Sequence, residues 1–91
     1  MSDKEMPYTM VEFWVRDGDR EYADTCILET TYVDKATDLE LVQKNIDDDA
    51  YEDDSRENEF WIHGSEALTY VSNQKPMTEA TKKILNAYGV Y

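Results

Sequence analysis

The chain is predicted to be α+β: a mainly antiparallel sheet of about four strands in ββαββα order, with two helices on one face. Three observations predict it. Val11, Phe13 and Val15 alternate with Met10, Glu12, Trp14 and Arg16, the period-two pattern of a strand. The segment EFWVR (12–16) returns as EFWIH (59–63), 47 residues later. Thr37 and Thr78, 41 apart, each stand where a helix would start.

In the first half, Tyr8 to Arg16 is a strand, Asp17-Gly18-Asp19 a turn and Glu21 to Thr31 the return strand, rich in Thr, Tyr and Ile. Thr37 to Glu40 then spells a capping box, in which hydroxyl and carboxylate each accept from an exposed backbone N–H. Leu39, Val42 and Ile46 give the helix that follows an apolar stripe.

In the second half, Phe60 and Ile62 alternate with Trp61 and His63, and Gly64-Ser65 punctuates. Leu68 to Ser72 is a return strand, with a short helix capped by Ser65 as its competitor, and Asn73 to Pro76 a loop. Thr78 caps a last helix bearing Ile84, Leu85 and Tyr88, closed by Gly89 with Val90 folding back on Leu85. The segments divide as a flexible tail (1–7), a first ββα half (8–49), an acidic connector (47–59) and a second half (59–91) within one domain, 1–91.

The repeat places Phe13 and Phe60 on the helix-covered face and Trp14 and Trp61 on the other, where they and Tyr51 offer an aromatic interface. A homo-oligomeric structural or accessory module pairing through that face is one functional alternative.

The other begins from charge. Twenty-one acids against nine bases give a net charge of −12, which sets the chain against nucleic acid and anionic lipid and toward a basic partner. The run Asp47 to Glu59, DDDAYEDDSRENE, carries eight acids and one base, net −7, whereas residues 60–91 sum to +1. Asp47, Asp48 and Asp49 close the first helix, where the dipole disfavours acids by about 0.3–1 kcal/mol each. Replacing all three by Asn should then raise stability by about 1–2 kcal/mol.

Such a run is either a solvated loop or an array of carboxylates imitating a nucleic-acid backbone, as in small acidic proteins of viral or mobile-element type. The reading favoured is a small cytoplasmic binding protein, monomer or homodimer, that inhibits or sequesters a basic, nucleic-acid-binding partner. Its recognition residues are Asp47, Asp48, Asp49, Glu52, Asp53, Asp54 and Glu57, with Asp17, Asp19 and Glu21 as a second patch and Tyr51 and Tyr32 for stacking.

Other chemistries find little support. The run lacks the glycine and terminal-glutamate spacing of an EF-hand, which leaves weak calcium association through Asp47, Asp49, Glu52 and Asp53. One Cys and one His exclude zinc-ligand spacing and an intrachain disulfide, and no glycine-rich phosphate loop exists. Cys26 and His63 are the only nucleophile–base pair of that type. No catalytic residue, metal or cofactor is assigned, and neither a signal core nor a spanning segment is visible.

Overall fold

The computed structural model describes residues 6–53, 55–64 and 66–91. The tail expected at 1–7 falls outside them except for Met6 and Pro7, as do Asp54 and Ser65. The sheet has five strands, all antiparallel: β1 (Tyr8–Asp17), β2 (Arg20–Glu29), β3 (Tyr51–Asp53), β4 (Arg56–Trp61) and β5 (Leu68–Met77), in spatial order β2-β1-β5-β4-β3. Three helices accompany it: α1 (Thr30–Lys35), α2 (Asp38–Asn45) and α3 (Glu79–Ala87).

The first hairpin turns on two residues. Gly18 has φ +62° while Asp19 keeps a negative φ, as in a turn with glycine at its first central position. The return strand stops at Glu29 and not Thr31, because α1 begins there. Thr30 makes the early break possible: its hydroxyl donates to the Met6 carbonyl (2.8 Å) and shares a hydrogen bond with Thr9 (2.8 Å), and its N–H donates to the Pro7 carbonyl (2.9 Å). Val33 then buries. The β-branched TTYV segment favours strand locally, so tertiary contacts override propensity here.

Both expected helix caps are present. Glu40 N–H donates to the Thr37 hydroxyl (3.1 Å) and Thr37 N–H to the Glu40 carboxylate (3.0 Å). Thr78 accepts from Thr81 N–H (3.2 Å). Gly89, at φ +87°, ends α3 with paired bonds from Gly89 N–H to the Asn86 carbonyl and from Val90 N–H to the Leu85 carbonyl, both 3.0 Å.

Val11, Phe13, Val33, Leu41, Val42, Ala50 and Phe60 form the buried cluster, on the face that α1 and α2 cover. Phe13 pairs with Val71 and Phe60 with Thr69, so both phenylalanines lean on the same side of β5, as their repeat predicts. The strands carrying them are separated by β5. A second difference concerns α3. It packs on the opposite face, where Thr81 and Leu85 meet Met10 and Met77 in one groove and the Lys82 ammonium lies 4.5 Å from the Tyr8 ring. Two helices therefore share a face and the third does not, and none of its residues is buried.

Strand β5 extends through the expected 73–76 loop to Met77. Its irregularity is a bulge: Glu12 pairs with Asn73 and Phe13 with Val71, leaving Ser72 over, and the Ser72 hydroxyl donates to the Glu12 carboxylate (2.7 Å). Pro76 is accommodated opposite Thr9.

Thr69 is fully buried, and its hydroxyl has no hydrogen-bond partner among the described residues. Thr69→Val keeps the shape and removes the stranded hydroxyl, so urea unfolding should show a gain of about 1 kcal/mol. Phe13→Ala, by contrast, should lose about 3–5 kcal/mol.

Candidate acidic interface

The acidic connector is built into the sheet. Ile46 ends α2, and Asp47 turns the chain: its carboxylate accepts the His63 N–H (2.6 Å) and the Asp49 N–H (3.2 Å). Gln43 holds the next residue by donating its side-chain amide to the Ala50 carbonyl (2.9 Å), and Ala50 is buried. Tyr51 to Asp53 then pairs with β4 as an edge strand. Asp53 closes the hairpin: one carboxylate oxygen accepts from the Ser55 N–H (2.9 Å) and hydroxyl (2.8 Å), the other from the Trp61 indole N–H (2.8 Å).

The hairpin bulges outward. Glu52 pairs with Phe60 but Asp53 with Arg56, so β4 carries three more residues than β3 between those pairs. Asn58 absorbs the excess at φ +63°, a conformation its short polar side chain tolerates. Glu57, beside it, is exposed.

The ten expected recognition acids thus separate by role. Asp47 and Asp53 are structural acceptors, whereas Asp48, Asp49, Glu52 and Glu57 are exposed on the framework those two fix. Asp54 lies outside the described residues. Asp17, Asp19 and Glu21 are exposed at the turn of the first hairpin, with Glu21 bound to Arg16 (3.3 Å). Since Arg16 pairs with Leu68, Leu68 with Trp61 and Trp61 with Tyr51, that turn and the Asp47–Asp49 corner occupy the same end of the sheet. Three inter-strand spacings, ~14 Å, lie between β1 and β3. Glu66, exposed in the β4–β5 connection between them, belongs to the same acidic end. It stands outside the charge run, so no signal in the sequence marks it.

Trp14 and Trp61 take the sheet face opposite the phenylalanines, as expected, since their β5 partners Tyr70 and Leu68 stand two residues apart, and Tyr51 joins them as the partner of Trp61. Trp61 is half-buried and held by Asp53, so its polar edge is already satisfied within the fold. Trp14 is half-buried beside Tyr70, its partner on β5. Tyr51 is exposed on the acidic edge. Tyr32 is away from it, packed against the core with the Lys44 ammonium 5.1 Å from its ring.

Cys26 and His63 do not meet. Cys26 pairs with Val11 on the β2 edge, while His63 follows β4, with β1 and β5 between them. Burial, with Asp24 adding to it, pushes the Cys26 thiol up to about 11, away from thiolate chemistry. Among the described residues no group of three or more His, Cys, Asp or Glu is placed to hold a metal ion, and no helix is long and apolar enough to cross a membrane. No protein-family model, curated protein or solved structure matches this chain.

The bonds to Asp47 reverse the stability expected of its removal. Asp47→Ala removes the acceptor of two backbone donors and should cost about 1 kcal/mol in chemical denaturation. Asp48→Asn and Asp49→Asn should each stay within about 0.5 kcal/mol of the unmodified protein.

Proposed function

We propose that this protein is a small acidic binding protein that inhibits or sequesters a basic, nucleic-acid-binding protein by presenting carboxylates where that partner expects phosphates. The observation that carries this reading is the fixing of the acidic segment: the bonds of Asp47 and Asp53 anchor it to the β4 side of the sheet at both ends. A solvated loop needs no such anchors.

The physics of the display supports the reading further. Holding Asp48, Asp49, Glu52 and Glu57 on ordered backbone spares the entropy that a flexible acidic tail would lose on binding. Asp17, Asp19 and Glu66 widen the surface at the same end of the sheet. The exposed lysines at 75 and 83 belong to β5 and α3, away from the acidic hairpin.

The test is a variant carrying Asp48→Asn, Asp49→Asn, Glu52→Gln and Glu57→Gln, which spares both structural aspartates. Immobilised protein in extract of the native host should retain a basic protein at low salt, release it as salt rises and release it to competing duplex DNA. The fourfold variant should lose most of that retention at low salt. Equal retention by the variant would take these residues out of the interface.

A further inference from the structure

The opposite edge of the sheet carries a second feature. Strand β2 is an outer strand whose ten residues run in unbroken register with β1. Natural edges are commonly blunted by proline, a bulge or charged side chains. Strand β2 has no proline and its pairing shows no shift, so its protection is the charge of Glu21, Asp24 and Glu29. Its side chains are exposed from Arg20 to Thr25 and half-buried from Cys26 to Leu28.

The hairpin turn dictates which main-chain groups face outward. Asp17 and Arg20 flank its two turn residues as a hydrogen-bonded pair, and bonded pairs alternate from there. The N–H and C=O groups of Glu21, Ala23, Thr25 and Ile27 therefore point away from β1, and Glu29 closes the ladder as the N-cap of α1. The Thr25 N–H accords with this, being taken by the neighbouring Asp24 carboxylate at 3.0 Å.

A groove of about 330 Å³ opens beside the same strand, lined by Tyr8, Ile27, Leu28, Glu29, Tyr32 and Lys44. A second hollow of about 210 Å³ adjoins it at Tyr8 and Glu29 and reaches Pro7 and Thr31. An open ladder with side-chain hollows next to it is the arrangement that accepts an added strand, the ladder giving affinity and the hollows selectivity.

We infer that the β2 edge binds an extended, basic segment of a partner protein as a sixth strand of the sheet, with an apolar side chain seated between Tyr8 and Tyr32. Charge selects this occupant. Glu21, Asp24 and Glu29 outnumber Arg20, whose guanidinium lies 6.0 Å from the Tyr22 ring, and Lys44, whose ammonium lies 5.1 Å from the Tyr32 ring. Antiparallel pairing with a second copy is opposed in both registers of greatest overlap: centred on Thr25 it sets Glu21 against Glu29 twice, and centred on Asp24 it sets that residue against itself. Lysine or arginine on the incoming strand meets acids instead. The inference rests on the reading of the partner as basic, and gives it a main-chain contact on the edge remote from β3.

The experiment uses the full chain and, as probe, a short capped peptide of alternating lysine and valine. Amide hydrogen exchange should slow at Ala23, Thr25 and Ile27 when the peptide is added. Thr25→Pro removes an outward N–H and no bond to β1, and should weaken peptide binding about tenfold, the worth of one such hydrogen bond. Ile27→Lys, which puts a like charge before the incoming strand, should weaken it as well, with β1 amide protection unchanged in both variants. Protection confined to 47–59 would overturn the edge site while leaving the acidic hairpin as the basic-partner surface. Protection at β2 that grows with protein concentration and needs no peptide would overturn the choice of occupant. Peptide binding unaffected by Thr25→Pro would overturn the added strand itself.

Discussion

Phe13 and Phe60 meet neighbouring positions on one side of β5, and the burial of that side under α1 and α2 sets the register of the sheet. A one-residue slip of either strand would turn its phenylalanine to the other face and bring a tryptophan inward. The repeated EFW motif is the sequence form of this constraint. It does not make the halves copies in space, since α2 and α3 cover opposite faces.

The same core supports a charge arrangement that opposes it. A net charge of −12 repels itself in a chain whose small size limits the surface it can bury. The fold spreads that charge over edges and one end of the sheet and puts Asp47 and Asp53 of the connector to work as acceptors. Asp47 sits beyond the C-terminus of α2, where the dipole disfavours it, yet its two backbone donors offset that cost. The acids that remain exposed on the connector are carried by the backbone these bonds fix. Display and stability are thus divided between neighbouring residues of one run.

Much of this was legible in the sequence, and the failures have physical causes. The first hairpin, both threonine caps, the closing glycine of α3 and the inward phenylalanines follow from local rules of turn chemistry, capping and alternation. Helix α1 was not legible because Thr30 to Val33 favour strand, and the contacts that overrule them reach back to Met6, Pro7 and Thr9. Strand β3 was hidden because YED carries no apolar alternation; its order comes from β4 and from Asp53. The loop expected at 73–76 is strand because the Ser72 bulge restores pairing beyond it. Asp48, Asp49, Glu52 and Glu57 of the acidic run are exposed, but no charge count distinguishes them from Asp47 and Asp53, which also accept from the distant His63 N–H and Trp61 indole.

The proposed function requires the acidic hairpin to be a fixed part of the free protein and not a segment ordered only by its partner. Backbone ¹⁵N relaxation across residues 47–61 measures this directly. Order parameters near those of rigid backbone, about 0.85, are expected through β3 and β4, with Asp53→Ala lowering them locally. Values below about 0.6 in the unmodified protein, the range of flexible chain, would contradict it.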